Sequence, residues 1–158
     1  MNKLALEPQA HGFVKGRSIV SNASLHTGRD VVVNLDLKDF FPSITFRRVK
    51  GLFHKLGYSE QVATVLSLLT TEPPRVETEL GGRVFHVALG ARILPQGACT
   101  SPALTNLICR KLDRRLTGLS GSFQFNYSRY ADDLTFSGSR EAKIGCLLGG
   151  VRRILKDE

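Results

Sequence analysis

Cysteine is scarce in this chain: Cys99, Cys109 and Cys146 are the only three among 158 residues. They are an odd number with no Cys-x-x-Cys pair, so neither a disulfide framework nor a thiolate zinc site is expected. A reducing interior, the cytoplasm, is the expected compartment. Long apolar runs are missing too, which argues against an α-helical membrane span. The stretch MNKLALEPQAHG lacks the apolar centre and cleavage site of a signal peptide. Acidic residues are the minority, 14 against 22 Lys and Arg, leaving a net charge of +8 and a pI near 9.8. That excess favours a polyanionic partner without selecting one. No repeat, low-complexity tract or linker appears. At 158 residues, 42% of them apolar, one domain with its own core is expected.

Residues 1–30 are rich in Gly, Ser, His and Asn, with isolated apolar residues among basic ones. Ile19, Val20 and Ala23 have the spacing of one helical face. Lys15 and Arg17 are either solvated or presented to phosphates, contacts that fix nucleic-acid register without reading sequence. The run VVVNLDL from Val31 to Leu37 is β-branched and nearly all apolar, the composition of a strand covered on both faces, and Phe40-Phe41-Pro42 ends it. Two helices follow. In FRRVKGLFHKL the positions Val49, Leu52, Phe53 and Leu56 recur at helical spacing before a Gly57 stop, and Ser59 caps a second helix expected to bury Val62, Val65, Leu66 and Leu69. His54 reads as a surface histidine, and no ligand spacing gives His86 a role. Glu72-Pro73-Pro74 ends the second helix, and Gly81-Gly82 turns a hairpin between ETEL and RVFHVAL.

Leu94-Pro95-Gln96-Gly97 forms a turn leading into small residues. Ser101 stands as an N-cap with Pro102 at the first helical position, and Leu104, Leu107, Ile108 and Leu112 make that helix's inward stripe. Unpaired N–H groups at such a start suit an anion. Phe123 to Tyr127 alternates as a strand, Leu134-Thr135-Phe136 is its return partner, and Tyr130-Ala131-Asp132-Asp133 falls at the turn. Ser139 is the expected cap of a last helix that turns Ile144, Leu147, Leu148, Val151, Ile154 and Leu155 inward.

Three carboxylates carry the chemistry: Asp36 near the end of a strand, and Asp132 and Asp133 at a hairpin tip. Taken singly, Asp36 is as well explained by a salt bridge, with Lys38 as the cation, and the adjacent pair by turn formation. Taken together they have another meaning. Two carboxylates about 4 Å apart repel by about 4 kcal/mol at an effective dielectric near 20, so a converging trio calls for a cation. Mg²⁺ takes oxygen ligands and is usually held by one or two carboxylates plus substrate phosphates. Two such ions about 3.5–4 Å apart serve both the attacking and the leaving oxygen of an in-line displacement.

NLDLKDFFPS, LPQGACTSPALTN and YADD, in that order, resemble motifs A, B and C of reverse transcriptases, and AHGFVKGRSI is similar to a segment that precedes them in bacterial members. Asn22-Ala23-Ser24-Leu25-His26 resembles the Asn-Ala-x-x-His signature of the retron branch. The resemblance implies an α+β fold: a polymerase palm, its antiparallel sheet with helices packed on one face, plus part of the fingers and no thumb. Residues 1–30 are then the fingers-proximal segment and 31–158 mainly palm.

The same resemblance implies an RNA-directed DNA polymerase with two Mg²⁺ ions, or Mn²⁺ in their place, on Asp36 and Asp132, and Asp133 assisting. Phe41 matches the aromatic position under the incoming sugar that rejects a 2′-hydroxyl, with Phe40 its neighbour. Gln96 and Gly97 match the turn lining the nucleotide and template–primer pocket, and Tyr130 the support of the primer end. Asn22, Ala23 and His26 carry the signature, His26 being either a satisfied structural histidine or a contact to RNA. Implied partners are a structured RNA serving as template and primer, an RNA–DNA hybrid, deoxynucleoside triphosphates and a retron effector protein; no membrane is among them. Retron kinship implies msDNA synthesis and a part in phage defence. Complete members are much longer, so the chain is expected to be a palm-centred fragment, split gene or remnant with weak or no activity alone. Two other readings are a non-catalytic nucleic-acid-binding or assembly module that keeps the palm shape, and a fragment of a group II intron-like reverse transcriptase.

Overall fold

The computed structural model describes residues 4–141 and 143–158. In chain order the elements are α1 (Ile19–Ser24), β1 (Val31–Asp36), α2 (Phe46–Leu56), α3 (Glu60–Thr70), β2 (Arg75–Leu80) and β3 (Arg83–Ala88). After them come α4 (Ser101–Ile108), α5 (Arg110–Ser122), β4 (Asn126–Tyr130), β5 (Asp133–Gly138) and α6 (Ile144–Asp157). They group into two compact units, Met1–Lys38 with Cys109–Glu158, and Asp39–Ile108. The mixture of helices and antiparallel sheets is the expected α+β class. No helix among the described residues is long and apolar enough to cross a membrane.

The first unit is built on an antiparallel sheet of order β1-β5-β4. Residues 9–11 run parallel to β4: the His11 amide donates to the Arg129 carbonyl at 2.8 Å and the Arg129 amide to the Gln9 carbonyl at 2.8 Å. Directly opposed residues share a face, so the register assigns Val33, Leu35, Leu134, Phe136, Tyr127 and Arg129 to one face. Helices α5 and α6 cover it, burying Leu116, Leu134, Phe136, Leu147 and Val151 to 1% exposure or less. Tyr127 and Phe136 stack there, centroids 5.1 Å apart. The opposite face carries Asn34, Asp36, Asp133, Thr135, Ser137, Ser128 and Tyr130.

Several expectations need correction. Strand β1 is not covered on both faces: Val32, Asn34 and Asp36 are exposed, because β1 is the outer strand of an antiparallel sheet and only its inward side meets helices. Another helix, within the stretch read as fingers-proximal, meets the sheet from its other face. The short α1 sits on the polar face, contacting β4, and there Ile19 and Val20 stay 66% and 73% exposed while Asn22 and His26 are buried. Strand β4 begins only at Asn126, since Gln124 takes a left-handed φ of 61° that breaks the alternation read from Phe123. Ser139 is not the cap of α6: that helix starts after Lys143, which has no side-chain cap bond.

In the second unit α2 ends as expected at Gly57, whose φ of 106° lets its N–H reach back to the last turn. Ser59 caps α3 through the Val62 amide. The buried face of α3 is not the expected one, for Ala63 and Ser67 are buried whereas Val62, Val65 and Leu69 are 44%, 54% and 77% exposed. Small side chains set the approach to α2, since interaxial distance follows the residues at the contact. A core of Ile44, Val49, Leu94 and Leu104 joins α2 to α4. Gly81 and Gly82, at φ 60° and 73°, make the two-residue turn of the β2–β3 hairpin. Ser101 is not an N-cap; fully buried, it donates its hydroxyl to the Pro95 carbonyl at 2.7 Å and ties the preceding turn. The single helix read through Leu112 is two, α4 and α5, meeting at Cys109.

Candidate active site

Folding brings the three carboxylates together within the first unit. Asp36 and Asp133 are direct cross-strand partners, the last residue of β1 against the first of β5, and therefore project from the same face. Tyr130, half-buried, pairs with Asp133 on that face and leaves Ala131 and Asp132 as a two-residue turn. Ala131 takes a positive φ of 56°, and the Leu37 amide donates to the Asp132 carbonyl at 3.1 Å. Burial raises the Asp133 pKa, and the charges of Asp132 and Asp36 raise it further. Asp133 thus feels both of the other acids.

Lys38, the cation expected beside Asp36, makes no ion pair among the described residues. Nor does any group of three His, Cys, Asp or Glu side chains among those residues close to the spacing of a metal cage. The acids are a patch on a sheet end. Its donors are all hard carboxylate oxygens, two of the acids are exposed and the third half-exposed. A divalent ion that keeps waters and completes its shell with substrate phosphates fits such a patch without a cage.

Sequence reasoning missed the residues that hold this tip in place. An added Cβ on Gly12 would fall 3.1 Å from the Tyr130 carbonyl carbon and 3.2 Å from Ala131 Cα, and closer still to the Ala131 nitrogen. Only glycine allows the backbone to pass there. On the helix-covered face, fully buried Arg129 donates from Nε and Nη2 to the two oxygens of buried Asp113, each at 2.8 Å, and from Nη1 to the Ala131 carbonyl at 2.9 Å. The Tyr127 hydroxyl adds a bond to Asp113 Oδ1 at 2.9 Å. Burial by itself lowers the Arg129 pKa, but the hydrogen bonds and charge of Asp113 outweigh it and the group stays cationic. Burial and Asp113 raise Tyr127 well above its ordinary value. A signal did exist: alternation from Phe125 through Tyr127 puts Arg129 on an otherwise apolar face, where an unpaired charge is costly.

Within the signature, His26 is structural. Its Nδ1 bonds the Ser137 hydroxyl and its Nε2 the Ser128 hydroxyl, both at 2.7 Å, pinning α1 to β4 and β5. Asn22 is buried with no partner for its Oδ1 among the described residues, and Ala23 is exposed. Burial, then His11 and Arg29, lower the His26 pKa. The folded chain therefore binds this proton less readily than the unfolded chain, and stability drops as pH falls through the ordinary histidine range toward the lowered value. Melting temperatures at pH 7.5 and 5.5 should differ, and His26→Gln should shrink that difference; an unchanged difference refutes the assignment.

Arg17, half-buried, turns one arm of its guanidinium toward its own chain. Its Nη1 bonds the carbonyls of Glu7 at 3.2 Å, Pro8 at 2.7 Å and Ala10, closing the loop that carries Gly12. Lys15 is exposed. In the second unit Phe40 is buried and Phe41 half-buried, ring centroids 5.6 Å apart and edge to face. Gln96 and Gly97 are exposed. Gly97 has a φ of 89° with nothing within 4 Å of where a Cβ would stand, so conformation rather than crowding calls for glycine there. His54 is a surface residue paired with Glu60.

Comparison with known proteins shows the family. Residues 2–158 match the family described as reverse transcriptase (RNA-dependent DNA polymerase). The chain is similar to the retron Mx162 reverse transcriptase of Myxococcus xanthus, 56% identical over 140 residues, covering 89% of this chain and 29% of that protein. It is 57% identical over 138 residues to the retron Mx65 reverse transcriptase of the same organism, covering 87% of this chain and 32% of that one. Against the retron Ec86 reverse transcriptase of Escherichia coli identity is 41% over 144 residues, 91% of this chain and 39% of the relative. The chain thus spans well under half the length of these relatives. It belongs to the reverse transcriptase family and aligns along most of its length with retron members.

Proposed function

We propose that this chain is the palm-centred part of an RNA-directed DNA polymerase, with residues 1–30 next to the fingers and 31–158 mainly palm. The observation that carries the reading is the pairing of Asp36 with Asp133 on one sheet face, with Asp132 in the adjoining turn. Asp36 and Asp132 would hold divalent ions, Mg²⁺ or Mn²⁺, with Asp133 assisting. Bound there, the ions would lower the cost of ionising a primer 3′-hydroxyl and neutralise charge on the leaving pyrophosphate. Tyr130, beside Asp133, supports the primer end. Phe41 is assigned the sugar-facing ring that rejects a 2′-hydroxyl, and the exposed backbone at Gln96 and Gly97 the contact with the nucleotide and template.

The template is then a structured RNA, the product an RNA–DNA hybrid, and retron kinship points to msDNA synthesis with an effector protein in phage defence. Thumb and remaining fingers would be supplied by further length such as the relatives have. Primer extension on an RNA template, with the chain completed by that length, tests the reading. Mg²⁺-dependent incorporation of deoxynucleotides is expected, and Phe41→Ala should raise ribonucleotide incorporation by about 10- to 100-fold. Absence of templated DNA from the completed wild-type chain overturns the polymerase reading, and unchanged sugar selection removes Phe41 as the gate.

A further inference from the structure

We propose that the buried Asp113–Arg129 pair is a positioning device for Asp132, acting through the carbonyl of Ala131. The inference rests on reading Asp132 as a metal-holding carboxylate. Ala131 sits at φ 56°, in a left-handed region where a residue with a Cβ is strained and persists only if its surroundings hold it. The holding bond is visible: Arg129 Nη1 donates to the Ala131 carbonyl at 2.9 Å. That carbonyl belongs to the same planar peptide as the Asp132 N–H, so fixing it fixes the plane from which Asp132 departs. The next peptide is held as well, since the Asp132 carbonyl accepts from the Leu37 amide at 3.1 Å. Both planes flanking Asp132 are therefore anchored, one to the buried ion pair and one to the end of β1.

The chemistry of the pair fits this task better than stability. A buried ion pair adds little over apolar residues of similar volume, so its presence asks for another reason. Arginine offers one: its planar fork grips both Asp113 oxygens and still has a donor aimed at a third acceptor, which a lysine cannot reproduce. Asp113, fixed on α5 and bonded by Tyr127, sets the direction of that fork.

The test is Arg129→Lys in the 158-residue chain, which keeps the charge and loses the fork. Mn²⁺ binding followed by electron paramagnetic resonance is expected to weaken about tenfold. Amide exchange at Leu37 should quicken by about the same factor while Leu116 and Phe136 keep wild-type rates. Wild-type Mn²⁺ affinity together with wild-type Leu37 exchange overturns the proposal, as does an equal rise at all three amides, which marks plain destabilisation. If Arg129→Lys does not fold, the triple change Asp113→Leu, Tyr127→Phe, Arg129→Met replaces the polar cluster by apolar side chains, and the same measurements decide. Asp132→Asn separates the two ideas: Mn²⁺ binding unaffected by it defeats the metal reading of Asp132, whereas Leu37 exchange in the Arg129 variant still decides whether the strut holds the turn.

Discussion

Asp132→Asn should reduce Mg²⁺-dependent DNA synthesis by about three orders of magnitude or more in the completed enzyme, a loss of at least about 4 kcal/mol of transition-state stabilisation. The substitution is nearly isosteric, and asparagine serves a two-residue turn as well as aspartate does. It removes only the negative charge and one strong oxygen donor. The fold should not suffer, because Asp132 is half-exposed and its backbone, not its side chain, meets Leu37. Relief of its repulsion on Asp133 works in the same direction. Primer extension and thermal melting on one preparation check both halves. Retained synthesis contradicts the role given to Asp132, and lost synthesis with a lost melting transition would mean that the residue supports the fold instead.

The second large effect is expected at Gly12, where backbone passes against backbone. Gly12→Ala should destabilise the chain by about 2 kcal/mol and Gly12→Val by about 3 kcal/mol, read from urea midpoints. The clash is between backbone atoms: the added Cβ would press on the peptide joining Tyr130 and Ala131, which sheet pairing on both sides keeps in place. No flexible side chain can swing away. Relief requires residues 9–11 to leave β4, losing the two amide–carbonyl bonds with Arg129. Gly118→Ala provides the contrast, for that helical glycine has nothing within 4 Å of its Cβ position and alanine there should stabilise by about 0.5–1 kcal/mol. Equal behaviour of the two alanine variants would remove the close approach at Gly12 as a structural requirement.

Much of the acid site was legible because its parts are local. A β-branched run ending in Asp36 and a hairpin whose tip spells Tyr130-Ala131-Asp132-Asp133 announce themselves over a few residues, and the motif order supplied their pairing. What stayed hidden depends on distant surfaces. Nothing near Gly12 in the sequence says that residue 131 passes against it. Nothing near Val62, Val65 and Leu69 says that α3 turns Ala63 and Ser67 inward and leaves them exposed. The inward face of α1 stayed hidden for a related reason: the apolar spacing of Ile19, Val20 and Ala23 is local, whereas the sheet face the helix meets presents Ser128 and Ser137, so Asn22 and, just past the helix, His26 are the residues that turn in. Burial follows the partner surface as well as the periodicity of the segment.

The chain order of the two units bears on how the molecule is made. Asp39–Ile108 is one unbroken stretch, whereas the other unit joins two separate stretches, its β1 and the Gln9–His11 edge waiting for strands that follow more than ninety residues later. On a ribosome the middle can condense while the beginning stays unmatched, and closing so wide a loop is slow rather than forbidden. The acidic patch therefore waits for β5, and until that strand has emerged a nascent chain offers Asp36 no cross-strand carboxylate partner.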